Sequence, residues 1–482
     1  MTDTSPRYVF DPIATKGALA GLRVGQVAFL GVGMTIATAL IGRFPSAAGV
    51  MFALLVLTGA AAAAFVSIAG RPVEQWAVPL TRHVTRQALG RTARRPNAAA
   101  PAAAPSVLAG ISMGEVTRID GSALGVITDR SSATMSAVTA VRGRSFALLD
   151  PADKARCLSA WSTVLAGLAR EDGPVRSLQW IERTVPGDGA LLTRHLARGC
   201  ALDSDDPRVR SYAELVQTAG PLAEEHEILL VLSVRARGRG GRRGEGGQDV
   251  LLREMRLLEG QLRHAGVDVV GPLGPRALGA AIRNGFDPWS RAALVRRDDV
   301  HPDLAGIGPD AAWPAASEAA WPHWRTDNTW HATFWIAEWP RSEVGPDFLS
   351  PLLLSCSHQR TVSVVMGPLA PSVGTREVEA ARTAHAADDQ LRQRAGFLAT
   401  ARRSRQAEGA IRREAELADG HAAYRFSGYV TVSAQSAEEL EDACGEVVHA
   451  GHQARLELRR LYGAQDLAFS WTLPLGRGLA AR

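Results

Sequence analysis

Hydrophobic and polar positions are spread unevenly along this chain. Two apolar runs, 24–42 and 44–70, contain no charged residue and are separated only by Arg43. A hydrocarbon core about 30 Å thick is crossed by roughly 20 apolar residues. Phe44-Pro45-Ser46 supplies a turn between the runs, because Pro45 breaks a helix and biases Phe44 away from the α region. The pattern predicts a transmembrane helical hairpin over 24–70, since backbone groups in lipid must bond internally. Arg7, Lys16 and Arg23 precede it, Arg71, Arg82, Arg86, Arg91, Arg94 and Arg95 follow it, and Arg43 sits alone in the turn. By the positive-inside rule both flanks are cytoplasmic. The expectation is a two-pass protein of the plasma (inner) membrane, with a cytoplasmic lead (1–23) and the bulk of the chain in the cytoplasm.

Beyond the hairpin, 71–105 reads as a basic juxtamembrane stretch and a Pro/Ala linker. Val73, Trp76, Leu80 and Val84 recur at near-helical spacing. Arg71, Trp76, Arg82 and Arg86 are the candidate lipid contacts, as basic residues there meet anionic headgroups. A first cytoplasmic α+β domain is expected over 106–223, with strands at 107–119, 123–128, 134–141 and 177–184. Its helix starts at Asp150-Pro151, a cap followed by proline at the first helical position. A second α+β domain is expected over 224–478. Its strands are 228–234, 329–339, 361–366, 424–433 and 467–473, and a helical excursion occupies 373–418, bent or broken near Gly396 and Gly409. Asp249 and Gly266 read as the start and stop of a helix, and Ser436-x-x-Glu439 as a capping box opening a helix to Leu461. The expected class is a membrane α-helical hairpin plus cytoplasmic α+β domains, sheets with helices on one face.

Composition narrows the chemistry. The net charge is +5, yet Lys16 and Lys154 are the only lysines, and the Arg, Ala and Gly bias is that of a GC-rich gene. Neither lysine can complete G-x-x-x-x-G-K-[ST], being followed by Gly17 and Ala155, so no P-loop motor domain is encoded here. Cys157, Cys200, Cys356 and Cys444 are widely spaced and suggest neither a zinc site nor a disulfide framework. Gly110-Ile111-Ser112-Met113-Gly114 matches G-x-S-x-G, but lies in an expected strand rather than a strand-to-helix elbow. His323, His331 and His358 are scattered among tryptophans. No catalytic residue, cofactor or metal site is expected. The Arg/Gly segment 236–248 offers Arg237, Arg239, Arg242 and Arg243 to nucleic acid. It lacks interleaved aromatics, and a loop is the favoured reading. The Trp cluster (Trp313, Trp321, Trp324, Trp330, Trp335, Trp339) suits either a partner surface or a core.

The C-terminal stretch 420–478, with RREAELADGH (412–421) before it, resembles the end of the amino-terminal, non-motor domain of type IV secretion ATPases. Gly463, Gln465, Leu473, Pro474 and Leu475 stand at that family's "G-x-Q…LPL" positions. Arg7-Tyr8 and GALAGLRVGQ (17–26) before a hairpin are similar to PrgI-like membrane subunits. The combination resembles an actinobacterial integral membrane family of conjugative elements. The resemblance implies a membrane anchor fused to a docking domain, with ATP hydrolysis supplied by a separate secretion ATPase. Gly463, Gln465, Leu473, Pro474 and Leu475 are then the partner-docking candidates. The partners implied are the membrane, that ATPase, other secretion-system subunits and further copies of the chain. A membrane-tethered nucleic-acid adaptor is the alternative.

Overall fold

The computed structural model describes residues 8, 10, 24–68, 71–72, 76–90, 92–95, 104–143, 146–186, 206–219, 224–236, 246–394 and 401–479. The hairpin is α1 (Val24–Arg43) and α2 (Ala47–Phe65). The Ser46 hydroxyl accepts the Gly49 N–H at 3.3 Å and caps α2. Gly33 marks their close approach, since a Cβ there would lie 2.4 Å from that of Ala60. Both helices are long and apolar enough to cross a membrane, with mean hydropathy 1.6 and 2.1, and only 11% and 17% of the two spans is buried within the chain. A core helix buries its apolar stripe. This pair instead exposes Met34, Met51, Leu54 and Leu55.

A short ladder, β1 (Ser67–Ile68) and β2 (Arg71–Pro72), leads to α3 (Ala77–Ala88) and β3 (Ala93–Arg94). The body then runs through β4 (Ile111–Thr117), β5 (Ala123–Asp129), β6 (Thr134–Arg142), α4 (Pro151–Leu168), β7 (Val175–Pro186), α5 (Pro207–Ala219), β8 (Glu224–Arg235), α6 (Gly247–His264), β9 (Asp268–Pro272), α7 (Pro275–Phe286) and α8 (Ser290–Val300). It continues with β10 (Ser317–Ala319), β11 (Trp324–Thr326), β12 (Thr329–Glu338), α9 (Ser350–Leu354), β13 (Arg360–Pro368), α10 (Pro371–Arg394), α11 (Ala401–Ala418), β14 (Tyr424–Ala434), α12 (Ala437–Gln453), β15 (Glu457–Arg460) and α13 (Gln465–Phe469).

Strands β3 to β15 form one antiparallel sheet of order β3-β10-β11-β12-β14-β13-β7-β8-β6-β5-β4, with β15 also on β12 and β9 also on β6. The boundary expected at 223/224 therefore runs between β7 and β8, neighbours paired from Val175↔Val234 to Pro186↔Glu224. The expectation of helices on one face is corrected as well. Leu230, Leu232 and Val234 of β8 pack under α4 and α6, whereas Leu229 and Val231 pack on the other face with Leu278, Ile282 and Phe286 of α7 and Phe469 of α13. A strand apolar on both sides needs cover on both sides. In the second half, α9 and α12 cover β12, β13 and β14 through Leu352, Leu440, Ala443 and Val447.

Element order reveals a repeat that the sequence reading missed. Each half is a three-stranded meander, a helix, a strand, an excursion, a strand, a helix, a short strand and a helix. The pairings match too: β6 with β8 and β9 and β8 with β7, then β12 with β14 and β15 and β14 with β13. The equivalent central strands β7 and β13 join the halves antiparallel, as a two-fold relation requires. Even the turns agree. After α6, Gly266 (φ +75°) N–H donates to Arg263 O and Val267 N–H to Leu262 O; after α12, Arg455 (φ +57°) donates to His452 O and Leu456 to Gly451 O.

Other expectations shift locally. The helix opened by the Ser436 capping box ends at Gln453, not Leu461, because Arg455 turns the chain into β15. The strand expected at 467–473 is α13 and an irregular segment, its alternating apolar residues being buried nearly all round rather than on one face. Gly246, not Asp249, occupies the cap of α6. The strand expected from 107 begins at Ile111, after a single 3₁₀ turn at Ser106–Leu108. Gly409 lies within α11 without breaking it, and Gly396 lies outside the described residues.

Candidate functional site

The "G-x-Q…LPL" residues fold onto the inner face of the sheet. Gly463 adopts φ +72°, donates its N–H to Trp321 O at 2.8 Å, and has no room for a Cβ, which would lie 2.4 Å from the Trp321 ring. Gln465 is 1% exposed; its Oε1 accepts the Thr333 N–H of β12 at 2.7 Å, so a side chain satisfies a ladder position. Leu473 and Leu475 are buried in the core around Phe286, and Pro474 is buried between them. These five partner-docking candidates pack against the chain's own sheet. The same apolar pattern serves an outer or an inner surface equally well.

Gln179 of β7, which no motif singled out, organises this segment. Its Nε2 donates to Ser363 Oγ (2.9 Å), Trp471 O (3.0 Å) and Leu473 O (3.0 Å), and its Oε1 accepts the Gly476 N–H (2.8 Å). Hydroxyls extend the network from Thr333 to Thr431 (2.8 Å) and on to Thr472 (2.9 Å). At the far end Arg477 Nε donates to Asp129 Oδ2 at 2.7 Å. Burial alone would push the Asp129 pKa up. Hydrogen bonds from Arg477 and Ser131 outweigh it and hold the carboxyl well below the usual range.

The juxtamembrane candidates divide. Trp76 packs on Trp321 (centroids 5.9 Å) and Tyr462 (5.7 Å), and His83 meets the Trp321 ring edge-on at 5.3 Å. Arg86 forms a bidentate pair with Asp466, Nη1 to Oδ1 at 3.0 Å and Nη2 to Oδ2. Trp76 and Arg86 thus face the body rather than lipid. Arg82 stays exposed, and the backbone of Arg71 lies in β2. The lead is also attached: Tyr8 and Val344 exchange two backbone hydrogen bonds of 3.0 Å, and Phe10 joins Trp339, Phe348 and Phe426. One segment before the hairpin and one after it both dock on the same body.

Ser112 is the second residue of β4, paired opposite Thr128, so the strand-to-helix turn of a nucleophile elbow does not exist there. His331 is fully buried between Thr326 Oγ1 (2.8 Å) and Ser433 Oγ (2.9 Å), and burial lowers its pKa to about 3. His358 pairs with Glu446 at 2.6 Å, and His323 packs edge-on against Trp330 at 4.6 Å. Cys157 and Cys444 carry free thiols, Cys356 Sγ lies 3.9 Å from Pro351 O and Leu352 O, and burial pushes the Cys444 thiol up to about 12. Among the described residues no three of His, Cys, Asp and Glu cluster closely enough to hold a metal ion. Of the tryptophans, Trp313 and Trp324 are core residues around Phe286, while Trp321 receives Trp76. Arg237, Arg239, Arg242 and Arg243 lie outside the described residues. No protein-family model matches this chain, and no curated protein is similar to it.

Proposed function

We propose that this chain is a membrane-anchored, non-enzymatic docking component of a type IV-like conjugative secretion machine, which engages a separate translocation ATPase from the cytoplasmic side. The observation that carries the anchored part is the hairpin with both flanks on one body: Tyr8 and Phe10 before it, Trp76 and Arg86 after it. Two flanks attached to one body favour a chain that enters the membrane and returns on the same side. The flanking arginines favour the cytoplasm as that side. The secretion role is supported by the resemblance of 420–478, whose key residues are here the inner packing of a sheet. A partner is then read by the outer surface of the body, by neighbouring copies or by the hairpin, not by Leu473, Pro474 and Leu475 themselves.

The test is purification of the tagged protein from native membranes in mild detergent, followed by mass spectrometry. A P-loop ATPase recovered in stoichiometric amount is the expected result. A monomer without an ATPase, or one recovered from the soluble fraction, would overturn the reading.

A further inference from the structure

Helix α3 presents two unlike faces. Trp76, Pro79, His83 and Arg86 lie on the side turned to the body and are half-buried. At 100° per residue the opposite side carries Ala77, Leu80, Thr81, Val84 and Ala88, all exposed, with Leu80 at 51% and Val84 at 52%. The hydroxyls of Thr81 in this stripe and of Thr85 beside it donate back to their own helix, Thr81 to Ala77 O and Thr85 to Thr81 O, each at 2.8 Å. They therefore add little demand for water. From 77 to 95 the chain has five arginines and no acidic residue, and the exposed Arg82 lies on the polar side of the helix, roughly 140° round from the middle of the stripe.

We infer that α3 is an interfacial helix. Its Leu80–Val84 face lies in the headgroup region of the bilayer that the hairpin enters, while its other face grips the body. The lipid surface is the occupant for two reasons. The stripe begins 12 residues after α2 ends at Phe65, so the chain itself delivers it to the membrane surface. An apolar stripe backed by the exposed Arg82 on the polar side, in a segment with no acidic residue, is the pattern of helices that lie in the plane of an anionic interface. The body then rests against the membrane by its Trp321–Tyr462 end instead of hanging on a tether. This inference rests on the membrane reading of the hairpin, and its test separates the two.

In a Cys157→Ser, Cys200→Ser background, with Cys356 and Cys444 protected by burial, single cysteines are introduced by Val84→Cys, Met51→Cys in α2 and Ile119→Cys on the body. Each is labelled with an environment-sensitive dye in phosphatidylcholine–phosphatidylglycerol proteoliposomes, and quenching by lipids carrying shallow or deep nitroxides is measured. Labelling of the background protein is subtracted. Met51 should be quenched by deep nitroxides, Ile119 by neither, and Val84 by shallow nitroxides at least about threefold more than Ile119. Omitting phosphatidylglycerol should reduce the Val84 signal. Met51 quenched with Val84 indistinguishable from Ile119 overturns the interfacial helix and leaves the anchor standing. Met51 unquenched overturns both. A Val84 label shielded from water yet untouched by lipid nitroxides places a second copy on this face and overturns the lipid assignment.

Discussion

His331 is 1% exposed between two hydroxyl partners, and burial places its pKa at about 3, below the ordinary 6.5. The unfolded chain therefore takes up the proton first. Stability from the neutral imidazole is complete above 6.5 and is lost as the pH falls toward 3, by at most about 1.4 kcal/mol per pH unit. The melting temperature in detergent should drop between about pH 7 and pH 5, and His331→Gln should flatten that slope while lowering the melting temperature at neutral pH. An unchanged slope would assign the acid sensitivity to other groups. Single residues also mark what the sequence hides. Gly463, Gln465 and Leu473 stand out as a pattern, but nothing in a pattern says whether it faces out or in. Gln179 is one polar residue among several in β7, beside Arg176, Ser177, Glu182, Arg183 and Thr184, and its partners lie 184 to 297 positions away.

Among the elements, most helices and strands are legible because their boundaries carry local chemistry: Asp150-Pro151 opens α4, Ser436 with Glu439 opens α12, and the unbroken apolar run of β8 identifies a strand buried on both faces. The failures occur where that chemistry is missing. The turn after α6 is announced by Gly266, whereas the equivalent turn after α12 uses Arg455 in the same left-handed conformation, so the helix reads as continuing. Arg455 Nη1 donates to Ser342 Oγ at 2.7 Å, a tertiary partner no local reading supplies. Gly266 has nothing within 4 Å of a Cβ position. Gly266→Ala should therefore cost only the left-handed backbone penalty, about 1–2 kcal/mol, measurable by denaturant titration. Leu473→Ala, at 1% exposure beneath the sheet, should cost more, about 2–5 kcal/mol. If Leu473→Ala proves neutral, the inner packing of the LPL segment is wrong.

At the scale of the whole molecule, composition and spacing suggest two domains because α+β units of ordinary size fit the lengths. Pairing between β7 and β8, and between β7 and β13, fuses them into one sheet. The β7–β8 pairs join residues 38 to 59 positions apart and the β7–β13 pairs residues 178 to 188 apart, and neither leaves a trace in local periodicity. The hairpin, by contrast, is legible because length and lack of charge are local properties. One sheet should unfold as one unit. Hydrogen exchange followed through a denaturant series should give coincident midpoints for β5–β6 and β12–β14 amides, with α10 and α11 exchanging earlier. Two separate midpoints for the strands would restore the two-domain division.

The matched halves place an experiment and its control in one polypeptide. Position 266 has its counterpart at 455, and β7 has its counterpart in β13. One half has β3 laid along its outer strand, while β4 at the opposite end pairs only with β5 among the described residues. A substitution made at equivalent places experiences a similar backbone geometry with and without that attachment to the juxtamembrane helix. A difference between the two outcomes then reports what that attachment contributes once contacts made in one half alone, such as Arg455 to Ser342, have been removed.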